Sequence, residues 1–519
     1  MAVTIPRLES LALDPEAPSE AKDQVAIDAG LHLATAGAEA RLDRSFARGI
    51  AWLGGVKWIV QLLTWGTTIV VARILTPEDY GLLTMGAVLL AFITLLSESG
   101  IGITVVTVRE ITAQQIGQIN GAAVLLGVTS FAAACLAAFP VSWFYRAPSL
   151  PPVIIALSFT LVISAFRVVP GALLQRELRF PRLAVIDASQ GLVQALTTVV
   201  LAVMGFRYWS LVLGAVFGAV VGTAATVAAR PYQIRWPRWK TLRPVLPFTR
   251  NMLVGRLFWY TYQNSDFIVA GKRLGAQALG AYSYAWTLAS MPVDKISSLL
   301  SSVTPPIFAA VQHDIPALRR YFLTVTEGLA VFAFPLTVGI ALVANDLVPV
   351  VFGDRWLFMI APLQVLATYA TIRTITPTAS QVLVVTGDTR FLMYMSGVAA
   401  IALPTAFYIG SRWGTIGIAI AWTVAHPATV YLPLNARLLR RLELPVRKYL
   451  RALWPAVSGC VTMAAAVVLA RTLVPTVTVT GVRLALEVTA GALAYSGCLL
   501  LFHKDRVKAF IALWRHPIQ

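Results

Sequence analysis

The chain has 519 residues, of which 57% are hydrophobic and 13% are charged, and its mean hydropathy is +0.73. Soluble domains carry about 45–50% apolar and about 25% charged residues, so this composition excludes an ordinary soluble protein. Lys and Arg outnumber Asp and Glu by 42 to 24, but they lie in short clusters between apolar segments. That pattern is typical of a polytopic membrane protein rather than of a nucleic-acid-binding protein.

The first 45 residues differ in kind from the rest of the chain. They hold several acids, among them Asp14, Glu16 and Glu20, and no apolar run long enough for a signal peptide. We predict that 1–45 is a disordered cytoplasmic tail.

From residue 50 onward, long apolar stretches alternate with short polar ones. A spanning helix needs roughly 20 mostly apolar residues, and fourteen stretches meet this requirement. Their approximate bounds are 50–72, 80–100, 119–140, 151–174, 185–205, 208–230, 248–271, 279–302, 323–344, 358–385, 391–411, 415–437, 452–474 and 482–502. We therefore predict an all-α polytopic membrane protein with about 14 transmembrane helices.

The distribution of basic residues predicts the orientation of these helices. From Arg41 onward, twenty-six Lys and Arg fall in loops and tails on the side of the N-terminus, and nine fall in the opposite loops. Because basic loops stay in the cytoplasm, we predict that both termini are cytoplasmic. All the predicted outer loops are short, which argues against an enzyme that builds glycans outside the cell.

Two long basic connections divide the predicted helices into groups of six, six and two. The predicted regions are an N-terminal lobe over 46–230, a basic linker over 231–247, a C-terminal lobe over 248–437, a basic loop over 438–451, a last helix pair over 452–502 and a cytoplasmic tail over 503–519. The linker mixes Trp and Arg, so it either lies at the lipid headgroups or serves only as a topological anchor.

The two six-helix groups contain an internal repeat. At an offset of 199 residues, 72–81 aligns with 271–280, and Lys57 aligns with Arg256. Because each group has an even number of helices, the two repeats share one orientation. We expect an axis along the membrane normal to relate them, as in transporters with parallel repeats.

Four basic residues fall inside predicted membrane helices at matched positions of the repeats. They are Lys57, Arg167, Arg256 and Arg373; the second and fourth are each followed by a proline within four residues. A charge near the bilayer centre costs at least about 2.5–3.5 kcal/mol by insertion scales, so something must compensate it. One arrangement is a water-filled cationic cavity between the lobes. The other is buried ion pairs, with Asp266 serving Arg256 and Asp187 serving Arg167.

Helical periodicity places further polar and aromatic side chains on the same faces as these cations. A polar stripe on a spanning helix must face protein or water. The predicted substrate-binding residues are Lys57, Arg167, Arg256, Arg373, Gln61, Trp65, Tyr260, Asn264 and Gln381. The candidates for coupling to an ion are Asp266 and Asp187.

Patterns for catalysis or metal binding are absent from the sequence. The three cysteines lie in apolar segments without a CxxC spacing, and the sequence has no HExxH motif and no P-loop. We predict no catalytic residue, no metal and no cofactor, and H⁺ or Na⁺ coupling stays open.

Four segments, 73–81, 266–282, 304–309 and 351–356, resemble the polysaccharide exporters of the MOP flippase superfamily. These are the Wzx-type oligosaccharide flippases, and the likeness is to the branch with the colanic acid exporters. The resemblance covers about 46–450. It implies a V-shaped, two-lobed transporter that moves an undecaprenyl-pyrophosphate-linked oligosaccharide to the periplasmic leaflet by alternating access.

The same resemblance implies membrane lipids, a polysaccharide polymerase and chain-length or export proteins as partners. In the related lipid II flippases two extra C-terminal helices form a groove for the lipid tail, so 452–502 either forms such a groove or only pads a lobe. Three alternative functions stay open: a lipid II flippase, a MATE-like multidrug exporter, and a membrane glycan polymerase. Four intramembrane bases argue against export of cationic drugs.

Overall fold

The computed structural model describes residues 64–97, 105, 112–237, 246–301, 304–473 and 479–504, without the side chains of 97, 246–254 and 298–301. The predicted tail over 1–45, most of the tail over 503–519, and two predicted site residues, Lys57 and Gln61, lie outside this description. Every regular element within the described ranges is a helix.

Six helices of the described chain belong to the first repeat. They are α1 (64–74), α2 (Pro77–Ser97), α3 (Ala113–Tyr145), α4 (Leu150–Arg176), α5 (Phe180–Val203) and α6 (Tyr208–Ala229). Helix α3 has 33 residues, more than the roughly 20 that one crossing needs, so it is tilted in the bilayer or projects beyond it.

The second repeat begins with one helical stretch, Leu246–Ser301, that breaks at Gly275, where φ is +85°. We call its two parts α7 (246–274) and α8 (276–301). The helices that follow are α9 (Thr304–Ala310), α10 (Ile315–Val351), α11 (Ile360–Arg373), α12 (Thr376–Val385), α13 (Thr389–Gly410), α14 (Gly414–His426) and α15 (Leu432–Arg441). The last pair is α16 (Val446–Leu473) and α17 (Thr480–Phe502). The predicted basic loop over 438–451 is thus helical at both ends.

Ten segments of the described residues are long and apolar enough to cross a membrane. One of them, Thr389–Arg441, has 53 residues and contains two of the predicted spans. The prediction of an all-α polytopic membrane protein is therefore confirmed. The number fourteen stays a prediction, because the first predicted span lies mostly outside the described residues.

Helix α2 begins with a cap formed by its own side chains. The N–H and the hydroxyl of Thr76 both donate to Oδ2 of Asp79, at 3.0 and 2.8 Å. Asp79 is buried, and the Arg207 side chain from the α5–α6 connection lies 3.5 Å from it. This arrangement is a variant of the capping box, and it explains why Thr-Pro-Glu-Asp starts the helix.

Helices α2 and α8 cross so closely that their backbones touch. A Cβ atom at Gly81 would overlap the carbonyl oxygen of Ala276, and one at Gly280 would overlap the carbonyl oxygen of Pro77. The two glycines are 199 residues apart, and so are the residues that they meet. Each repeat thus presents the same surface to the other, as in a contact across a two-fold axis.

The contact of α2 with the second repeat continues toward the middle of the helices. The Thr84 hydroxyl donates to Ser283 at 3.1 Å, again across 199 residues. One turn further, the hydroxyl of Tyr260 on α7 donates to the carbonyl of Val88, and the Tyr260 ring packs on Phe92 with centroids 5.6 Å apart. Side chains of α7 and α8 therefore cover one face of α2.

At one end of the repeats, a basic side chain of each repeat caps a helix of the other repeat. Arg73, at the end of α1, donates through Nε to the carbonyl of Val351, 2.8 Å away at the end of α10. Its equivalent, Lys272, donates to the carbonyl of Phe144 at the end of α3. Cations favour the negative end of a helix dipole and satisfy its last carbonyls. Each repeat therefore caps a helix of the other at what the charge distribution predicts to be the outer end.

The described part of the basic linker is attached to α3. The backbone N–H of Arg235 donates to the carbonyl of Gly117 at 3.0 Å, and the Tyr232 hydroxyl donates to the carbonyl of Ala113 at 2.9 Å. A Cβ at Gly121 would overlap the carbonyl oxygen of Arg235, so this segment of the linker lies directly on α3. The linker therefore binds the first repeat in addition to any topological role.

An ion pair joins the last two helices to each other, and hydrogen bonds attach them to α10. Arg471 on α16 binds both carboxylate oxygens of Glu487 on α17, at 2.9 and 3.0 Å, and also donates to the carbonyl of Leu342. The Tyr495 hydroxyl donates to the carbonyl of Val331 at 2.6 Å. These contacts attach α16 and α17 to the second repeat.

We expect Gly81→Ala and Gly280→Ala each to destabilise the protein, because the new methyl group has no room at the α2–α8 crossing. Overpacking of this kind costs about 1–3 kcal/mol. Thermal denaturation of the detergent-purified protein measures the effect. Gly339→Ala in α10 is the matched control, because no atom lies within 4 Å of a Cβ there. Gly81→Ala and Gly280→Ala variants that melt like the control would contradict the described crossing.

Candidate functional site

Arg167 on α4 is held by two residues of α5. One guanidinium nitrogen donates to the Gln190 side-chain oxygen, and another donates to Asp187 Oδ1 at 3.0 Å. Gln190 itself packs on α6 at Gly222, where any Cβ would overlap the Gln190 amide. The neutral amide therefore fixes the position of the guanidinium, and the carboxylate supplies the charge.

Arg373 occupies the corresponding place in the second repeat, at the last residue of α11. The helix breaks over residues 374–375 and resumes as α12, so Arg373 lies at a helix C-terminus within the membrane segment. It donates to Asp294 Oδ1 on α8 at 2.9 Å. The guanidinium carbon lies 5.4 Å from the centroid of the Trp286 ring, a cation–π contact.

The two sites share one pattern of exposure. The side chains of Arg167 and Arg373 are 24% and 17% exposed, whereas those of Asp187 and Asp294 are 65% and 66% exposed. Each arginine is thus largely buried and held by a neutral group, whereas most of each aspartate side chain is not covered by protein. Asp187 was predicted as a partner of Arg167, and this pairing is present.

An aromatic cluster supports the Arg373 site from behind. The ring of Trp286 lies 5.1 Å from that of Trp422 and 6.0 Å from that of Tyr369. The Tyr369 ring contacts His426 at 5.3 Å with the rings nearly perpendicular. Helices α8, α11 and α14 meet in this cluster, so Trp286 has little freedom to move away from the guanidinium.

Asp266 does not pair with Arg256, contrary to one of the two arrangements expected from the sequence. Its carboxylate is fully buried and accepts hydrogen bonds from the Tyr282 hydroxyl and the Trp422 indole, each at 2.9 Å, and from the backbone N–H of Phe267. Within the described part of the chain, Arg256 is half-buried and forms no ion pair. The pattern of i and i+4 spacing could not show which neighbouring helix faces Asp266.

The other predicted site residues have mixed placements. Tyr260 is buried, and its hydroxyl donates a hydrogen bond to the carbonyl of Val88. The Asn264 amide donates to the carbonyl of Tyr260 along its own helix, and Gln381 accepts from Thr304 at 2.6 Å. Trp65 is half-buried on α1. Tyr260 therefore packs between α7 and α2, where the sequence predicted a ligand contact.

Three residues of the site have roles that the sequence did not reveal. Asp294, Trp286 and Gln190 were not among the predicted site residues. A buried arginine on another helix needs a carboxylate partner, but sequence distance does not identify it. Within the described residues, no group of three or more His, Cys, Asp or Glu could hold a metal ion.

Both ion pairs lie away from the end that the Arg73 and Lys272 contacts close. Arg167 lies in the second half of α4, and Asp294 lies in the second half of α8, whereas the closed end is at the start of both helices. Chemically, the two guanidinium groups can bind a phosphate or carboxylate with bidentate geometry.

The chain shares its family and its fold with known proteins. Residues 70–361, more than half of the chain, match the family of polysaccharide biosynthesis proteins. The chain belongs to this family. The lipopolysaccharide biosynthesis protein WzxC of Escherichia coli K12 is 27% identical over 420 residues, which are 78% of this chain and 84% of WzxC. The succinoglycan biosynthesis transport protein ExoT of Rhizobium meliloti 1021 is 24% identical over 382 residues, 73% of this chain and 77% of ExoT.

The fold of this family member also matches a solved structure. The lipid II flippase MurJ in an inward closed conformation aligns with a TM-score of 0.69 at 13% sequence identity, covering 88% of this chain and 99% of MurJ. The resemblance to Wzx-type flippases is thereby confirmed. The chain is thus a multi-pass membrane protein of the polysaccharide biosynthesis family.

Proposed function

We propose that the protein flips an undecaprenyl-pyrophosphate-linked oligosaccharide across the bacterial inner membrane, as a step in exopolysaccharide or O-antigen biosynthesis. The observation that carries the proposal is the matched pair of arginines, Arg167 and Arg373. Each arginine is largely buried in a membrane segment and is paired with a largely exposed aspartate carboxylate. In a family that serves polysaccharide biosynthesis, such a pair suits a cargo with an anionic linkage.

A pyrophosphate needs cationic partners when it leaves water. Arginine supplies them with a planar fork of donors that matches phosphate oxygens, and it keeps its charge in a low-dielectric site. We propose that Arg167 and Arg373 contact the pyrophosphate or acidic sugars, and that Arg256 lines the same cavity. Trp65, Asn264 and Gln381 then provide stacking and hydrogen bonds for the sugars.

The end-to-end asymmetry of the contacts supports alternating access. Arg73, Lys272 and the α2–α8 crossing join the two repeats at the predicted outer end. The exposed aspartates lie toward the other end. We propose that the structure represents a state open to the cytoplasm, with fourteen helices arranged as two six-helix lobes and a C-terminal pair.

We expect Arg167→Gln and Arg373→Gln to lower polysaccharide export at least about tenfold, since a charge-assisted hydrogen bond contributes roughly 1.5–3 kcal/mol. The assay is surface polysaccharide in a strain without its own flippase, with the amount of membrane-inserted protein held equal. Arg319→Gln is the control, because Arg319 is similarly buried at 25% exposure but pairs with Glu443 at the α15–α16 connection. Export at the wild-type rate by both site variants would refute the proposed site.

The same strain distinguishes the cargo. Restored export with no rescue of a strain that lacks its lipid II flippase supports an oligosaccharide cargo. Rescue of the second strain alone would replace the proposed function with that of a lipid II flippase.

We also propose Asp266 as the residue that couples transport to H⁺ or Na⁺. It is a fully buried carboxylate with only neutral donors around it in the described structure, whereas Asp187 is paired with Arg167. An imposed gradient of one of these ions should stimulate flipping in vesicles for the wild type and not for Asp266→Asn. Indifference of the wild type to both gradients would remove Asp266 as a coupling site.

The orientation of the helices is a further part of the proposal. An alkaline phosphatase fused after Gly353 should be active, because that turn is predicted to be periplasmic, and one fused after Asp388 should be inactive. The opposite pair of activities would invert the predicted topology and place the Arg73 contacts at the cytoplasmic end.

A further inference from the structure

We propose that Asp187 and Asp294 are exchangeable counter-ions. Each occupies the anion position of its arginine while the transporter is empty, yields that position to the pyrophosphate of the cargo, and returns to displace the cargo on release. This inference rests on the proposed function and adds two residues that determine affinity and release.

The exposure of the two partners shows which of them moves. Asp187 and Asp294 are about two-thirds exposed, so most of each side chain is not covered by protein. Moving such a carboxylate away from its arginine costs little, because the protein covers only a small part of it. The arginines are largely buried, and removing Arg167 from its site would leave the Gln190 amide without this hydrogen bond.

Neutral contacts keep each arginine in place when its aspartate leaves. The Gln190 amide, confined against Gly222, accepts a hydrogen bond from Arg167. The Trp286 ring faces the Arg373 guanidinium from within the aromatic cluster. Neither contact supplies a full negative charge, so each arginine stays positioned and lacks only an anion.

Another ion pair of the same protein shows what a permanent pair looks like. Glu487 is 1% exposed, receives two hydrogen bonds from Arg471 and lies 3.5 Å from Arg483, so it cannot leave without losing its contacts with both arginines. The pairs at Arg167 and Arg373 have the opposite design, with a single hydrogen bond to a carboxylate that faces open space.

A counter-ion of this kind serves both stages of a transport cycle. An empty site with unpaired guanidinium groups would carry a high cost within the membrane. A site that bound pyrophosphate without competition would release it slowly, because most differences in affinity appear in the dissociation rate. An aspartate beside each arginine neutralises the empty site and speeds the release of the cargo.

Binding and export measured on the same variants test the exchange. The probe is farnesyl pyrophosphate, a short prenyl pyrophosphate, titrated against the full-length protein in lipid nanodiscs. Asp187→Asn and Asp294→Asn are each expected to bind it about three- to fivefold more tightly, because an exposed competing ion pair contributes up to about 1 kcal/mol. Export in cells is expected to fall below half of wild type, because release slows.

Two controls accompany these variants. Asp294→Glu keeps the competing charge and should bind within about twofold of wild type. Glu443→Gln removes the 81% exposed acid beside Arg319, which has a similar exposure pattern outside the site, and should change neither binding nor export. The Asp187 and Asp294 pairs lie on different helices, so each is an independent test should one variant fail to fold.

Each outcome decides between the two proposals. Unchanged or weaker probe binding in both Asn variants, or tighter binding with export at the wild-type rate, would overturn the exchange while leaving the proposed function intact. Wild-type probe binding by Arg373→Gln and Arg167→Gln would instead overturn the proposed pyrophosphate site itself.

Discussion

A guanidinium group inside a membrane segment must be neutralised, and this constraint organises the centre of the protein. Arg167 and Arg373 each satisfy it with an aspartate from a neighbouring helix, and each is kept in place by a neutral side chain. The arginines are equivalent in the two repeats, but their partners come from α5 in one and α8 in the other. The repeats have therefore retained the cation and found different ways to compensate it.

The contacts between the repeats follow a second constraint, that of backbone approach. Gly81 and Gly280 permit α2 and α8 to touch, and the equivalent cations Arg73 and Lys272 cap helix ends in the opposite repeat. These interactions gather at one end, and the carboxylates of the two ion pairs lie away from that end. Closure at one end and anion sites toward the other are the features expected of the alternating-access transporter that we propose.

Much of the fold was predictable because membrane helices are encoded locally. Apolar length identified the helices, and the offset of 199 residues aligned Arg73 with Lys272 and Gly81 with Gly280 before any contact was known. The site was predictable only in part. The arginines were found from their cost in a membrane, whereas Asp294 was not among the predicted site residues, and Tyr260, expected at the cargo, packs against α2. A polar stripe predicts that a face avoids lipid, but a neighbouring helix and a water-filled cavity satisfy that requirement equally.

The sequence by itself determined the class of protein, the helices, the repeat and the positions of Arg167 and Arg373, because hydropathy and the cost of a buried charge act on each segment alone. Only the tertiary structure decided that Asp266 binds Tyr282 and Trp422 instead of Arg256, and that Asp187 and Asp294 face open space. Partner choice and exposure depend on how distant helices pack, and that packing is set by close contacts such as the Gly81–Gly280 crossing. The distinction between a permanent and an exchangeable ion pair therefore exists only in the folded protein.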